Sequence, residues 1–333
     1  MERYISVIVP NHNGGKTIGK CLEAAFSSRY KNFEVVVVDD CSDDNSIEII
    51  NKFPCKLIRL DKHSGASRAR NKGAINSSGE VLFFIDSDCL LQKNTLAVVN
   101  DTFTRYCSSN TLIGGTYTWL PYDNNFFSIF QSIFVRYSET KRDKPDYIAA
   151  HAMIIDSGLF RSSGGFSEDF LPIIEDVEFS HRLQKSGYNL VMNPDIQVQH
   201  IFNFTLMKSL KNAFRKSMFW TIYSMKNSDL FKDSGTASAE LKINVAAYFL
   251  ILLLAALSFT FKNASLLIPL PFAFIFNLFI NRKFLKSLCE VKGLSFAIRA
   301  ALYYTMLYPL AVGAGAFAGM VRYLWSFLLQ RGH

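Results

Sequence analysis

The sequence predicts an α/β fold with a mostly parallel sheet in its N-terminal part, joined to amphipathic and then transmembrane helices. Three observations carry this. Up to about Gln199, short β-branched runs alternate with amphipathic stretches, the rhythm of βαβ units. Beyond His200 three uncharged stretches appear, Ile243 to Phe261, Asn263 to Asn281 and Ala300 to Val321, of 19, 19 and 22 residues. The 333-residue chain is 49% hydrophobic, too apolar for a disordered chain and high for a purely soluble one.

Three strands are evident in the first part: Ile5 to Val9, Phe33 to Val38 and Val81 to Ile85. Each is nearly all apolar, as a strand covered on both faces must be. Between the first two, Ile18, Cys21, Leu22, Ala25 and Phe26 recur at helical spacing, and Ser46 to Phe53 reads as a shorter helix. The first strand opens the chain with no signal peptide before it, so export of this half is not expected. Six scattered cysteines without CxxC spacing fit thiols in a reducing compartment.

In the second part, Leu206, Leu210, Ala213, Phe214 and Met218 share a helical face, with Lys208, Lys211 and Arg215 elsewhere. Such a helix lies on an anionic membrane surface or packs as an ordinary surface helix; the net charge of +8 fits anionic partners generally. Spanning lipid takes about 20 residues, which each uncharged stretch supplies or nearly supplies. Pro269 and Pro271 in the second stretch, and Pro309 in the third, predict kinks or re-entrant segments. Arg282, Lys283, Lys286, Lys292 and Arg299 outnumber Glu290 between these two stretches, and such basic loops prefer the cytoplasmic side. Gly315 and Gly319 permit close helix approach and are the basis for expecting a homo-oligomer. The expected organisation is thus 1–203, an α/β catalytic domain; 204–241, an amphipathic interface segment; and 242–333, about three transmembrane helices.

Acidic residues mark the strand ends. Asp39 and Asp40 follow the second strand, and Asp86-Ser87-Asp88 follows the third. Ligands of open α/β sheets bind outside the carboxyl ends of strands, where a carboxylate can accept from a base or ribose. Two carboxylates one residue apart repel unless a cation compensates, and hard oxygen ligands suit Mg²⁺ or Mn²⁺ bridging substrate phosphates. Ser42, Asp43 and Asp44 read as turn and cap residues. Arg68, Arg70 and Asn71 stand in Gly65 to Gly73, either as guanidinium forks for a diphosphate or as a solvated helix face. Glu175 and Asp176 follow another apolar step, and one of these acids can serve as a general base. His200 ends a strand-like run and either completes a metal shell or is structural.

In this order the motifs resemble those of the family 2 inverting glycosyltransferases of the GT-A, Rossmann-like fold, over about Ile5 to His200. Val7-Ile8-Val9-Pro10-Asn11-His12-Asn13 is similar to the opening strand and turn, Val38-Asp39-Asp40-Cys41-Ser42 to VDDxS, and Phe84-Ile85-Asp86-Ser87-Asp88 to the DxD. Gly164-Gly165-Phe166, Glu175-Asp176 and Arg182-Leu183-Gln184-Lys185-Ser186-Gly187-Tyr188 are similar to GGF, ED and RLxxxGY. The resemblance implies that Pro10 and Asn11 border the nucleotide, and that Asp39 or Asp40 contacts the nucleoside. Arg70 and Asn71 belong to the segment closing over it. It also implies that Asp86 and Asp88 hold the metal with His200, and that Asp176 is the catalytic base beside Glu175. Cys41 departs from the pattern, standing where the family usually has glycine.

These implications predict transfer of a sugar from a nucleoside-diphosphate sugar, a UDP-sugar first among them, with Mg²⁺ or Mn²⁺ as cofactor. A catalytic base favours as acceptor a hydroxyl of a lipid-linked or membrane-associated saccharide; a polyprenyl phosphate, already anionic, is the alternative. The expected site is the inner (cytoplasmic) membrane, multi-pass, with the catalytic domain cytoplasmic and no nucleic-acid partner. Tyr117, Trp119, Tyr122, Phe126, Phe127, Phe130 and Phe134 either line an acceptor entrance or are core aromatics of an amphipathic helix. A dinucleotide-dependent dehydrogenase is disfavoured, since Gly14-Gly15 does not make GxGxxG. A nucleotidyltransferase would leave the ED and RLxxxGY series unexplained, and a non-catalytic membrane scaffold would not need the acids.

Overall fold

The structure, a computed structural model, describes residues 2–106, 110–142, 144–168 and 173–331. Cys107 lies outside them; the other five cysteines are free thiols. The chain divides into two compact units, Met1–Asn203 and Phe204–His333.

The first unit runs β1 (Ile5–Asn11), α1 (Ile18–Phe26), β2 (Phe33–Asp39), α2 (Ser46–Ile50), β3 (Lys56–Arg59), α3 (Ala66–Ile75) and β4 (Val81–Phe84). It continues through β5 (Cys89–Leu91), α4 (Thr95–Tyr106), β6 (Thr111–Tyr117), α5 (Phe126–Thr140), β7 (Met153–Asp156), α6 (Ser157–Ser162), α7 (Glu175–Lys185) and β8 (Asn189–His200). One eight-stranded sheet has the order β3-β2-β1-β4-β7-β6-β8-β5. The expected parallel pairing holds from β1 to β4, where the βαβ rhythm is plain. Beyond β4 the sheet is mixed: β7 is antiparallel to β4 and β6, β6 is parallel to β8, and β5 is antiparallel to β8. One core runs through Ile8, Val36, Leu82 and Phe84 to the aromatic rings of Phe160, Phe166 and Phe179. Phe166 contacts Phe84 edge to face at 5.4 Å and Phe179 at 4.7 Å, so its loop is plugged into the sheet. Of the aromatic run, Tyr117, Phe130 and Phe134 are buried, as core residues would be, while Trp119 and Tyr122 stay exposed.

The second unit is helical: α8 (Leu206–Asn227), α9 (Ala239–Phe261), α10 (Pro269–Ile280), α11 (Arg282–Lys292), α12 (Leu294–Leu302) and α13 (Tyr308–Arg331). Among the described residues, two helical runs are long and apolar enough to cross a membrane, Ala239–Phe261 and Leu294–Ser326, with mean hydropathy 2.1 and 1.3. The second expected span differs: Ala264–Ile280 reaches membrane length only together with Arg282–Lys292, and the pair bends by 63°. The basic segment is therefore no loop but the amphipathic helix α11, burying Phe284 and Leu288 and exposing Lys283, Lys286 and Lys292.

The face of α8 also differs from the expected one. Leu206 is exposed, whereas Ser209, Ala213, Phe219, Ile222 and Tyr223 are buried. The helix lies along α13, with Ser217 donating to the Val312 carbonyl at 2.7 Å and Tyr303 donating to Ser209 Oγ at 2.8 Å. Gly315 and Gly319 make that approach possible: a Cβ on Gly315 would collide with the Phe214 carbonyl oxygen, and one on Gly319 would lie 2.5 Å from that of Met218. The small-residue face is thus used within the chain, where a dimer seam was expected. Gly315→Leu should destabilise the protein by about 1–3 kcal/mol through overpacking. Ala314→Leu, on the exposed side of the same helix, should not; thermal unfolding in detergent compares the two.

Candidate functional site

The carboxyl ends of β1, β2 and β4 lie side by side because the strands are parallel and in register, with Asn11 opposite Asp39 and Ile8 opposite Phe84. The residues that follow them meet in a cleft of about 220 Å³, lined by Pro10, Asn11, His12, Asp40, His63, Arg70, Asp86 and Asp88.

Asp39 and Asp40 have different tasks. Asp39 is buried and does not line the cleft; its oxygens accept from Asn11 Nδ2 at 2.9 Å, Ser42 N at 3.1 Å and Ser42 Oγ at 2.6 Å, closing the turn after β2. Asp40 faces the cleft and accepts from the backbone amides of Ser64 and Gly65, both at 2.7 Å, at the N-terminal end of α3, where the helix dipole favours an anion. His63 Nδ1 lies 2.9 Å from the same carboxylate, and its ring packs on that of His12 at 4.1 Å. Directly after these acids Cys41 holds a left-handed backbone, φ +60°.

Arg70 joins the cleft to α7. Its guanidinium is buried and donates to Asp86 Oδ1 and to Glu175 Oε1, each at 2.7 Å. Burial alone would weaken its hold on the proton, but the charges of Asp86 and Glu175 more than offset this. For Asp86 burial acts upward, and the Arg70 charge, with His151 and His200 adding, keeps the carboxyl below the usual range. Asp88 has no such cation: burial and then the Asp86 charge push it up to about 7. His200 Nε2 lies 3.3 Å from Asp88 Oδ1, and the His200 ring is stacked on Phe202 at 3.9 Å.

Asn71 does not line the cleft. It grips the 164–168 loop, donating to the Phe166 carbonyl at 2.8 Å and Glu168 Oε1 at 3.0 Å and accepting from Phe166 N at 2.9 Å. Gly165, at φ +67°, passes so close that a Cβ would lie 2.6 Å from Asn71 Oδ1. Arg182 on α7 donates to the Ser163 and Gly165 carbonyls. The GGF and RLxxxGY residues therefore build one brace that sets the start of α7. There Asp176 accepts from Ala150 N at 3.1 Å and from its neighbour Val177 N at 2.9 Å, anchored beside His151. Arg68, by contrast, is on the surface, 3.9 Å from Glu168.

Among the described residues, the buried polar atoms that make no hydrogen bond include Asn11 Oδ1, Arg70 Nε and Asp88 Oδ1, all on residues that line the cleft. Buried groups are normally satisfied, so a set of them facing one cleft is a place prepared for a ligand. Asp88 and His200 offer the oxygen and nitrogen donors of a divalent-cation site, and the raised proton affinity of Asp88 marks a charge lacking its counter-ion.

Residues 6–160 match the model of Glycosyl transferase family 2. Over those residues the chain matches a family 2 glycosyltransferase domain. Within curated proteins it is 31% identical over 132 residues to the glycosyltransferase GlyG of Streptococcus pneumoniae, covering 38% of this chain and 44% of that one. It is 39% identical over 98 residues to the poly(ribitol-phosphate) beta-N-acetylglucosaminyltransferase TarS of Staphylococcus aureus, covering 27% and 17%. The chain thus spans less than half the length of either relative. Among solved structures, a mannosyltransferase from Pyrobaculum calidifontis, in complex with GDP-Man and Mn²⁺, has the same fold at TM-score 0.59 and 18% identity, over 98% of this chain and 88% of that one. The glycosyltransferase domain is accordingly of the GT-A fold.

Within this domain, sequence reasoning missed His63, which sits in a loop with no motif around it, and left His12 without a role. It also missed the bridging place of Arg70, since nothing in a local pattern tells which acids a guanidinium will reach. Cys41 gives a direct check on the turn of the domain. Cys41→Val, β-branched at positive φ, should cost about 1–2 kcal/mol in equilibrium unfolding, and Cys41→Gly should not.

Proposed function

We propose that the chain is an inverting glycosyltransferase that moves a sugar from a nucleoside-diphosphate sugar to a hydroxyl of a lipid-linked or membrane-associated saccharide. The observation that carries this reading is the convergence on one cleft of Asp40, Asp86 and Asp88 and of Asn11 and Arg70, whose Oδ1 and Nε, with Asp88 Oδ1, are unsatisfied, tied by Arg70 to Glu175 at the start of α7. The GDP-Man and Mn²⁺ of the mannosyltransferase complex support a sugar nucleotide and a divalent cation as the occupants. The poly(ribitol-phosphate) acceptor named for TarS, a polymer that offers hydroxyls, supports a hydroxyl as the attacking group.

In this mechanism Pro10, Asn11 and Asp40 border the nucleoside, and Arg70 presents its remaining N–H edge toward the diphosphate while its other nitrogens stay on Asp86 and Glu175. Asp88 and His200, with Asp86 beside them, would hold the cation, which when bound neutralises charge developing on the departing nucleoside diphosphate. Asp176, fixed by the Ala150 and Val177 amides, takes the proton of the acceptor hydroxyl as it attacks the anomeric carbon. One displacement opposite the leaving group inverts that carbon. Asn71 and Arg182 act by holding the 164–168 loop and so the start of α7.

Asp176→Asn should lower kcat by about 10²–10⁴-fold while leaving binding of the donor within a few-fold. Asp88→Ala should remove cation-dependent donor binding as well. Release of nucleoside diphosphate, with a panel of sugar nucleotides and purified protein in native-like lipid, measures both; normal turnover by either variant would reject its role. The same assay with a saccharide hydroxyl or a polyprenyl phosphate as acceptor separates the two acceptor classes.

We further propose that Ala239–Phe261, Ala264–Ile280 and Leu294–Ser326 anchor the protein in the cytoplasmic membrane, the first leaving the cytoplasm, the second returning to the basic helix α11 and the third leaving again, with the glycosyltransferase domain on the cytoplasmic side. Exposed Cys41 and half-buried Cys289 should then react with a membrane-impermeant maleimide in inverted vesicles and not in right-side-out ones. Labelling of the two from opposite sides would overturn the topology.

A further inference from the structure

The cation reading of Asp88 and His200 leaves a neighbour unexplained. Cys89 begins β5 and is the direct cross-strand partner of His200 in β8. Directly opposed residues of an antiparallel pair send their side chains to the same face, about 4.5–5.5 Å apart at Cβ. Asp88, Cys89 and His200 each present one ligand atom, and these atoms lie within 4.8 Å of one another. His200 Nε2 and Asp88 Oδ1 are already 3.3 Å apart. That separation is what two donors about 2.0–2.1 Å from a tetrahedral Zn²⁺ show.

The scaffold around the three is fixed. Cys89 N donates to the Asp86 carbonyl at 3.0 Å, and Ile201 N donates to the Asp88 carbonyl at 2.9 Å. The His200 ring is packed between Phe202 and Tyr117, at 3.9 and 5.0 Å between centroids. Asp88 Oδ1 is buried and accepts no hydrogen bond, so an oxygen of the set stands ready for a ligand.

We propose that Asp88, Cys89 and His200 form a carboxylate–thiolate–imidazole site for a soft divalent cation of the Zn²⁺ type, occupied in competition with the hard cation of catalysis. This rests on the reading of Asp88 and His200 as cation ligands and adds a thiolate to them. Mg²⁺ prefers oxygen donors at near-octahedral geometry and makes little use of sulfur, whereas Zn²⁺ binds Cys, His and carboxylate together in tetrahedral sites. On ligation the Cys89 S–H proton leaves to solvent and an S–Zn bond forms; nothing is oxidised or reduced. The soft cation withdraws Asp88 and His200 from the diphosphate, so it acts as a reversible inhibitor.

Co²⁺ is the probe, because a thiolate on Co²⁺ gives a sulfur-to-metal charge-transfer band in the near ultraviolet that oxygen and nitrogen ligands do not give. Titrating the full-length protein in detergent with Co²⁺, without donor or acceptor, should produce this band. Zn²⁺ should bleach it, Cys89→Ser should abolish it, and Cys21→Ser should retain it. In the nucleoside-diphosphate release assay at fixed Mn²⁺, with each rate normalised to the same protein's uninhibited rate, Cys89→Ser should raise the Zn²⁺ concentration for half-inhibition about tenfold or more over that of the unsubstituted protein. Absence of the band, or its persistence in Cys89→Ser, overturns the proposal. Because the band is read without turnover, its failure leaves the glycosyltransferase reading standing, and failure of sugar transfer leaves the band intact.

Discussion

The buried guanidinium of Arg70 is the constraint on which the catalytic unit depends. Without it, Asp86, Asp88 and Glu175 would crowd negative charge against the apolar ends of the central strands, and removing one partner from such a buried group costs about 3–5 kcal/mol. Arg70 pairs with Asp86 and Glu175 at 2.7 Å each and lies over the Phe166 ring at 5.7 Å. It thereby fastens α3, the turn after β4, the GGF loop and the start of α7 to one point. Its choice of Asp86 also differentiates the two acids of the DxD. Asp86 is neutralised and kept ionised, whereas Asp88 holds its proton up to about 7. A site with one satisfied and one unsatisfied carboxylate is suited to gaining and losing a cation with each substrate, which two fully paired acids would not be.

How much of this could be read in the sequence follows from how local each signal is. The parallel half of the sheet was legible because runs such as Val35 to Val38 and Val81 to Phe84 have only one compatible environment, covered on both faces. The acids were legible because strand ends point one way in a parallel sheet. The antiparallel half was not: β5 is three residues long, and its pairing with β8 joins residues more than a hundred positions apart. For the same reason the place of Cys89 beside His200 was hidden, although both residues flank recognised motifs. Asn71 stands next to Arg70 in the sequence but on another side of α3, so proximity in the motif gave it a share in the nucleotide that its hydrogen bonds direct to the 164–168 loop instead.

The helical unit shows the opposite limit, a strong local signal that lacks its partners. Hydropathy finds apolar stretches but does not tell which face meets which neighbour. The basic amphipathic pattern of α8 left open whether the helix meets lipid or protein; its buried side turns to α13, with Ser209 bonded to Tyr303 and the Phe214 and Met218 carbonyls against Gly315 and Gly319. Close approach through Gly315 and Gly319 satisfies van der Waals packing inside one chain with no need of a second. The 63° bend between α10 and α11 likewise separates an apolar helix from an amphipathic one at the point where charge begins.

Pro309 shows how such a unit accommodates a residue that hydropathy ignores. Proline has no N–H, so one carbonyl a turn earlier loses its donor. The chain is widened to a π turn at Tyr303–Leu307, in which Tyr308 N bonds to the Tyr303 carbonyl. In that wider register the carbonyl left to Pro309 is the one of Tyr304. Asn244 on α9 supplies the missing donor, its Nδ2 reaching the Tyr304 carbonyl at 2.7 Å. The amide oxygen of Asn244 accepts from Asn277 at 2.7 Å, Asn277 accepts from Asn281 at 2.9 Å, and Asn281 in turn accepts from the Tyr304 hydroxyl at 3.1 Å. These four residues are buried, and the chain of bonds closes on the tyrosine where it began. In an apolar medium each such bond has no water to compete with it, and each broken one leaves a polar group without compensation. Three asparagines that weaken the hydropathy signal are thus what lets a proline-containing helix run on past its break.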